Sequence, residues 1–336
     1  MPTANDVTIA FVPRETVSQT LECLERLMEL TPRPYDLVAV VAGYPADLVV
    51  AIRQRVEDVD GHLIEFPHYV TPNEARNAAL ARTTSRYIVF VDHDVHVAEN
   101  WLAPLVACAR ETGAAIVSPL IFERKPLLTY LHMVGGEAGV DPLPSGLNAY
   151  RDIHHHAHKT VSSVGEPITR HPTGLAEFHT VLVETQWLAG VGGLDPKLLS
   201  VSEHWDMCIA AQRTGRSIYV EPDSKVTYVP VSRVTPQDAR WFAVRWSKAW
   251  SEDSLSHLAR KYDISPQDPS FNGLRGFLRR HRNYRYLPLE KRIAKLLGKR
   301  AGRFITKRLV QPVVELSQDA QLRKDLAAWR KHRDAT

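Results

Sequence analysis

The chain has few cysteines and no closely spaced pair of them. Cys23, Cys108 and Cys208 are far apart in a sequence of 336 residues, and none belongs to a CxxC motif. The usual zinc-binding and thiol-redox motifs, which need two cysteines at short spacing, are therefore absent. Each cysteine lies in an apolar, helix-like stretch, so we expect reduced thiols buried in a core.

Long apolar runs are also missing. No stretch reaches the roughly 18 consecutive apolar residues that a membrane-spanning helix needs. The first residues, from Met1 to Asp6, lack the basic patch and apolar run of a signal peptide. The hydrophobic content of 44% is ordinary for a packed protein and argues against disorder. The sequence predicts a cytoplasmic protein of one large or two modest domains, without a membrane span.

Outside a segment near the C-terminus, the chain lacks an excess of positive charge. Residues 275–310 contain thirteen Lys or Arg and one acid, Glu290, so this segment has a net charge of +12. The whole chain has a net charge of +4, which leaves a net charge of −8 for the other residues. A basic amphipathic helix suits an anionic membrane surface, where each cation contributes about 1 kcal/mol. A solvated helical appendage is the other interpretation, and nucleic acid is not expected because no recognised module accompanies the patch. The apolar residues that fall roughly on one helical face are Leu289, Ile293, Leu296, Leu297, Phe304, Ile305 and Leu309.

Apolar strand-like runs alternate with helical stretches up to Pro230, and the chain then looks helical to its end. This alternation predicts an open, mostly parallel α/β sheet with helices on both faces over residues 1–230, and a helical extension over residues 231–336. From Phe122 to Pro172 the pattern dissolves into an irregular excursion or a hairpin. The predicted strands are Val7–Val12, Leu37–Ala42, His62–Phe66, Tyr87–Val91, Ala114–Pro119, Thr180–Val183, Ser217–Val220 and Val226–Val229. The predicted helices are Thr16–Leu30, Ala46–Asp58, Pro72–Ala81 (capped by Thr71 with Glu74), Trp101–Thr112, Thr185–Ala189 and Glu203–Thr214.

Two carboxylates follow the most apolar strand, in the sequence Asp92-His93-Asp94. Ligands of open α/β sheets bind outside the carboxyl ends of the strands. Two carboxylates there suit Mg²⁺ or Mn²⁺, which takes one or two protein carboxylates and completes its shell with diphosphate oxygens and water. The alternative is a strand that simply ends in polar residues as it leaves the core.

Two separated blocks resemble glycosyltransferase family 2, which has the GT-A fold. Thr71 to Ala79 with Tyr87 to Trp101 is similar to the family's RN-A … Y-hydrophobic-F-D-D-D … W-L pattern. Gly192 to Asp195, followed by Ser202 to Cys208 and Gly215, is similar to its GGFD … ED-x-D-L-C … G segment. The resemblance implies a metal-dependent, inverting transferase that moves a sugar from a nucleotide-diphosphate donor to a glycan, a lipid-linked saccharide or a small molecule.

The resemblance also implies residue roles at the donor site. Asp94 would be the principal metal ligand, and Asp92 would contact the metal or the ribose. Arg76 and Asn77 would face the nucleotide, and the alternative for Arg76 is an exposed side chain paired with a neighbouring acid. Pro13 and Glu15 would lie at the nucleotide site after the first strand, although this chain has Arg14-Glu15 where the family usually has a small polar residue. An aspartate that reads the nucleobase is replaced by Ala42-Gly43-Tyr44, and a histidine after the last strand by Tyr228-Val229-Pro230.

An inverting transferase needs a group that takes the proton of the acceptor hydroxyl. The family places this base at the position of His204, and Glu203 and Asp206 are the alternatives in the same helical turn. In a second interpretation Ser202 caps the helix and the two acids favour its positive end.

Two further features are interpreted as structural. His154 to His158 is expected to be a solvated loop or a lid over the donor rather than a metal site, because no carboxylate or cysteine has matching spacing. Trp241, Trp246 and Trp250 are expected to pack against the main domain rather than bind sugar.

Two rival functions stay open. A nucleotidyltransferase would also place carboxylates and a metal at a strand end, but it would normally carry a glycine-rich basic loop that Val12-Pro13-Arg14-Glu15 does not provide. A non-catalytic nucleotide-sugar-binding module is favoured by the missing aspartate on the second strand and opposed by the intact Asp92 and Asp94.

Overall fold

The computed structural model describes residues 6–230 and 234–333. Its strands are β1 (Val7–Val12), β2 (Asp36–Ala42), β3 (His62–Phe66), β4 (Tyr87–Asp92), β5 (Val95–Val97), β6 (Ile116–Glu123), β7 (Tyr130–Met133), β8 (Gly136–Pro142), β9 (Asn148–His154), β10 (His171–Thr173), β11 (Thr180–Glu184) and β12 (Ile218–Tyr228). Its helices are α1 (Thr20–Glu29), α2 (Ala46–Glu57), α3 (Pro72–Leu80), α4 (Leu102–Thr112), α5 (Thr185–Gly190), α6 (Glu203–Arg213), α7 (Pro236–Arg245), α8 (Lys248–Tyr262), α9 (Pro269–Asn283), α10 (Leu287–Leu297), α11 (Lys299–Ile305) and α12 (Gln311–Arg333).

One large mixed sheet forms the centre of the molecule. Its order is β10-β12-β6-β11-β4-β1-β2-β3, with β5 beside β12 and β7 beside β6. The half built from β3, β2, β1 and β4 is parallel, and β11 runs antiparallel between β4 and β6. Within the parallel half, β1, β2 and β4 are largely buried and apolar because helices cover both faces, whereas the edge strand β3 is partly exposed. The predicted α/β architecture with a helical C-terminal region is confirmed.

Local sequence signals account for several element boundaries. Thr71 and Glu74 form a reciprocal capping box at the start of α3, and Pro72 occupies its first turn. Gly113 ends α4 in the left-handed conformation, with φ of 67°. The three cysteines are free and buried, as predicted.

Two predicted elements differ in the structure. Helix α1 begins at Thr20 rather than Thr16, because Asp238 of α7 accepts the backbone N–H groups of Val17 and Ser18 at 2.9 Å and holds them in a turn. The two strands predicted after Gly215 are one bulged strand, β12. Of the two alternatives for residues 122–172, the hairpin is the one present, because β8 and β9 pair in antiparallel fashion.

The C-terminal helices share the core of the sheet. Trp241, Trp250 and Phe271 are buried in the same apolar cluster as the strands, and the Trp241 indole N–H donates to the Ala42 carbonyl at 2.8 Å. These tryptophans therefore pack against the main domain. Among the described residues, no helix is long and apolar enough to cross a membrane.

Candidate donor and acceptor site

The site depends on the direction of β11, which runs antiparallel to its neighbour β4. Strands β1 and β4 are parallel neighbours, so Val12 lies beside Asp92 at their carboxyl ends. Strand β11 is antiparallel to β4, so it begins at the edge where β4 ends, and the Asp92 N–H donates to the His179 carbonyl at 3.1 Å. This brings His179 beside the two carboxylates.

Asp92 is buried and held by two arginines. Arg76 donates to Oδ1 at 2.7 Å, and Arg14 donates to Oδ2 at 3.0 Å. Burial raises the pKa of Asp92, while the two guanidinium groups oppose that rise. Arg76 also lies over the Phe178 ring, 3.9 Å from its centre. Both carboxylate oxygens are thus already engaged, which leaves Asp92 less available as a metal ligand than Asp94.

Asp94 is buried with neither oxygen satisfied. The residue is 1% exposed, and among the described residues neither carboxylate oxygen has a hydrogen-bond partner. Burial raises the pKa of Asp94 well above its usual range; Arg14 opposes this and the charges of Asp92 and Glu15 add to it. Ligand atoms of Asp92, Asp94 and His179 lie within 4.8 Å of one another. An unpaired buried carboxylate is costly, and a divalent cation held by Asp94 and His179 would remove that cost, so these residues fit such an ion.

Arg14 supplies positive charge at the same point. Its Nη1 atom lies against the His179 ring, 3.1 Å from Nε2, as well as against Asp92. Burial would lower the pKa of Arg14, but Asp92, Tyr228 and Asp94 raise it well above its ordinary value. His179 stacks on Tyr228 with ring centres 3.9 Å apart, and burial together with the Arg14 charge lowers the pKa of His179 well below its ordinary value. The imidazole is therefore neutral and able to bind a metal.

A cavity of about 550 Å³ opens beside these groups. Its wall includes Arg14, His179 and Tyr228 from the strand ends and Trp246 from the C-terminal helices. Glu15 is buried in this wall and accepts hydrogen bonds from Tyr228 at 3.1 Å and from the Trp246 indole at 2.9 Å. Trp246 thus both packs and lines the cavity.

Imidazoles and carboxylates also line the side of the cavity formed by β9 and α6. His154 Nε2 lies 3.3 Å from an Asp152 oxygen and 3.6 Å from Glu177 Oε1, and His204 Nε2 lies 3.5 Å from the same Glu177 oxygen. His132 faces Glu177 from β7 at 3.9 Å. The expectation that His154 belongs to a solvated loop is wrong, because β9 places it in the cavity wall between Asp152 of the same strand and the distant Glu177.

Two other histidines of that stretch are partly or largely exposed, and His158 lies at the cavity wall with its partner Glu123. His155 faces Glu137 and is 42% exposed, and His158 faces Glu123 and is 73% exposed. The solvated interpretation therefore holds for these two side chains.

The three residues predicted as candidates for the general base do not all face the cavity. Glu203 and His204 line the cavity, and Glu203 is paired with the buried Arg245 at 3.2 Å. Asp206 is not among the described residues that line the cavity. It accepts a 2.5 Å hydrogen bond from Tyr262 and a 2.6 Å ion pair from Lys261, both on α8. The prediction of Asp206 as a base is corrected on this ground, since α6 turns it away from the cavity.

Some residues predicted to bind the nucleotide have structural contacts instead. Asn77 donates to the Leu194 carbonyl at 2.7 Å and accepts from the Leu194 N–H at 2.9 Å, so it joins α3 to the Gly193 turn. Pro13 is buried, but it is not among the described residues of the cavity wall. His93 stacks on Phe11 with ring centres 4.1 Å apart, and burial lowers its pKa to about 3.

The end of the second strand is covered by aromatic side chains. Trp241 contacts the rings of Tyr44 and Tyr69, with centres 6.3 and 5.2 Å away, and Tyr44 Oη lies 2.6 Å from His93 Nδ1. In the family, an aspartate at this position reads the nucleobase. In this chain, α7 therefore covers the position.

Sequence reasoning missed several of the residues that form the site. Arg14 counted only as a departure from the family pattern, and His179, Glu177 and Asp152 carried no motif. The direction of β11 is what places Glu177 and His179 at the site, and a short apolar run does not reveal strand direction. The one sequence signal for such site residues is a polar side chain next to an apolar, strand-like run.

Comparisons with known proteins identify similar families and folds. Residues 14–144 match the family model "Glycosyl transferase family 2". The chain is 27% identical over 173 residues to the pre-mycofactocin glycosyltransferase of Mycobacterium tuberculosis, strains CDC 1551 / Oshkosh and ATCC 25618 / H37Rv, a match that covers 50% of this chain and 32% of the relatives. The chain thus spans about a third of the length of those relatives.

A solved structure has the same fold. The crystal structure of GalNAc-T7 with UDP, GalNAc and Mn²⁺ superposes with a TM-score of 0.52 at 14% sequence identity, over 86% of this chain and 57% of that one. At this identity the likeness concerns the fold alone, which is that of the GT-A glycosyltransferases.

Proposed function

Because residues 14–144 form a domain of glycosyl transferase family 2, we propose that the chain moves a sugar from a nucleotide-diphosphate donor to an acceptor hydroxyl, with a divalent metal ion and with inversion. The observation that carries the proposal is Asp94, a buried carboxylate with no partner among the described residues, at the strand end beside Asp92 and His179. The fold shared with GalNAc-T7, whose structure contains UDP, GalNAc and Mn²⁺, supports the same donor chemistry.

The donor diphosphate would bind where the charges of the site converge. Asp94 and His179, with a share from Asp92, would hold Mg²⁺ or Mn²⁺, and the bound ion neutralises charge on the departing diphosphate. Arg14 lies within hydrogen-bond distance of Asp92 and His179, so its guanidinium is placed to donate to phosphate oxygens. Arg76 opposes the rise that burial causes in the pKa of Asp92, and its hydrogen bond orients the carboxylate.

The acceptor would occupy the cavity between the strand ends and α6. Glu203 and His204 remain the candidates for the group that takes its proton, because both line that cavity. We expect Glu203→Gln or His204→Gln to lower turnover by about 100-fold or more while donor binding persists. Normal turnover in both variants would show that neither Glu203 nor His204 takes the proton, which would exclude this turn of α6 as the source of the general base.

We also propose a division of labour along the chain. Residues 1–230 would bind the donor and carry out the transfer, and residues 231–336 would close the cavity and present a basic surface. A glycan, a lipid-linked saccharide or a small molecule would serve as acceptor. The basic surface would place the enzyme against an anionic membrane, with no role for nucleic acid.

The first experiment is a calorimetric titration of the full chain with nucleotide-sugars in the presence of Mn²⁺ or Mg²⁺, repeated with EDTA. We expect one donor to bind only with metal, and Asp94→Ala to lose that metal-dependent binding. Binding that is equal with EDTA, or equal in Asp94→Ala, would contradict the metal role. Donor binding without turnover would favour the non-catalytic nucleotide-sugar-binding module, and binding of no donor would contradict both interpretations.

Asp223→Ala is the matched control for this titration. Asp223 is an exposed aspartate beyond the donor site, so its removal should leave metal-dependent binding unchanged. Loss of binding in this variant would show that the assay responds to surface charge rather than to the strand-end site.

A further inference from the structure

A second cluster of metal-binding side chain types lies in the cavity wall, apart from Asp92 and Asp94. Asp152 and His154 are two residues apart on β9, which places both on one face of the strand. His204 comes from the first turn of α6, and Glu177 precedes β11. Ligand atoms of Asp152, His154 and His204 all lie within 4.8 Å of one another.

Three separations in this cluster are close to the distance between neighbouring ligands of one metal ion. Asp152 Oδ1 lies 3.3 Å from His154 Nε2, which lies 3.6 Å from Glu177 Oε1, which lies 3.5 Å from His204 Nε2. For metal–ligand bonds of about 2.0–2.1 Å, tetrahedral geometry separates neighbouring ligands by about 3.4 Å. The three measured separations are therefore compatible with a metal ion in this cluster.

Two of these atoms make no hydrogen bond with any of the described residues. Asp152 Oδ1 and His204 Nε2 are buried, and neither has a hydrogen bond among the described residues. The other Asp152 oxygen accepts a 2.8 Å hydrogen bond from Tyr150, which fixes the orientation of the carboxylate. Such a second contact is what holds a metal ligand in place in known sites.

We propose that Asp152, His154 and His204 bind a divalent transition-metal ion and leave its fourth position open. Two imidazole nitrogens and one carboxylate oxygen with an open fourth position are a ligand set that suits Zn²⁺. Asp152, His154 and His204 all line the cavity, so the open position of the ion would face the acceptor, and Glu177 would lie beside the two imidazoles as a neighbouring anion. This site shares no residue with the group of Asp92, Asp94 and His179.

One consequence rests on the proposed transfer reaction, although metal binding itself does not. A metal bound at His204 Nε2 occupies the lone pair that a general base needs. Glu203, the other candidate that lines the cavity, is then the group that takes the acceptor proton.

Zn²⁺ binding to the metal-stripped full chain tests the proposal, measured by competition with a chromophoric chelator. We expect His154→Ala, His204→Ala and Asp152→Asn each to weaken Zn²⁺ binding by at least about 100-fold. His155→Ala is the matched control, because it removes the next histidine along the chain, which faces Glu137. Co²⁺ bound to the wild type should show the absorption of a four-coordinate ion, and this absorption should vanish in His204→Ala.

The failure of this proposal is distinguishable from failure of the donor site. Asp94→Ala should keep the Zn²⁺ site while losing metal-dependent donor binding. Wild-type protein that binds no Zn²⁺, or affinity unchanged in both His154→Ala and His204→Ala, would overturn the proposal, as would loss of the ion only in His155→Ala. Circular dichroism verifies folding, and His154→Gln and His204→Gln replace any alanine variant that fails to fold.

Discussion

Arg76 shows how a single residue serves both the fold and the site. It is 3% exposed, donates to Asp92 at 2.7 Å and packs on the Phe178 ring. A buried carboxylate needs such a partner, because removal of one member of a buried ion pair leaves an uncompensated charge. The role first assigned to Arg76, contact with the nucleotide, therefore becomes the positioning of Asp92.

We expect Arg76→Gln to lower the free energy of unfolding by about 3–5 kcal/mol. Arg76→Lys should lose less, because it keeps the charge but not the planar stacking on Phe178. Urea denaturation measures both values. Arg82→Gln is the control at an exposed position near the end of the same helix, and it should stay within about 0.5 kcal/mol of wild type. A loss below about 1 kcal/mol in Arg76→Gln would show that Asp92 does not depend on this pair.

At the scale of elements, the C-terminal helices are held to the sheet by a few charged contacts. Asp195, in the turn after α5, accepts from His257 and Lys261 of α8, each at 2.8 Å. Burial alone would raise the pKa of Asp195, but the hydrogen bonds from Lys261 and His257 lower it to about 2. The aspartate in the family-like Gly-Gly-Leu-Asp block thus joins the sheet domain to α8.

The lowered pKa of Asp195 predicts a pH-dependent contribution to stability. This contribution is present above the ordinary aspartate pKa of about 4 and is lost as pH falls through about 2. We expect Asp195→Asn to cost about 1–3 kcal/mol at pH 7, and the difference from wild type to shrink as pH falls below 4. Denaturant unfolding at several pH values measures it. Asp253→Asn, at an exposed position of α8, is the control, and an equal pH dependence in both variants would contradict this assignment.

At the scale of the whole molecule, the basic segment carries apolar side chains to the surface. Leu296 is 83% exposed and Phe304 63% exposed, and Phe304 lies among five cations, Lys299, Arg300, Arg303, Lys307 and Arg308. Apolar side chains among cations suit an anionic bilayer surface, where the former insert and the latter meet lipid phosphate.

We expect the full chain to bind vesicles that contain anionic lipid and to bind neutral vesicles far less. Its affinity for the anionic vesicles should fall as the salt concentration rises. Substitution of Lys299, Arg303 and Lys307 by Glu should lower vesicle affinity by about 100-fold or more, at about 1 kcal/mol per cation removed. The control reverses three exposed cations of the sheet domain, Arg82, Lys197 and Lys225. Equal binding of both triple variants in a vesicle sedimentation assay would exclude a specific role for the basic surface.

The sequence by itself determined where most strands and helices lie and which of their side chains are apolar. Runs such as Tyr87–Val91 and the capping box of Thr71 and Glu74 encode strand and helix through contacts between near neighbours, so periodicity and capping residues suffice to predict them. The placement of Asp92 and Asp94 at a ligand-binding strand end followed from the same local pattern.

Only the tertiary structure decided which distant side chains meet them. The antiparallel direction of β11 brings His179 to Asp92, and the hairpin of β8 and β9 brings Asp152 and His154 to His204. The direction in which α6 faces separates Asp206 from the cavity. These features depend on strand order, strand direction and burial, which arise from packing between residues far apart in the chain, and no local pattern encodes them.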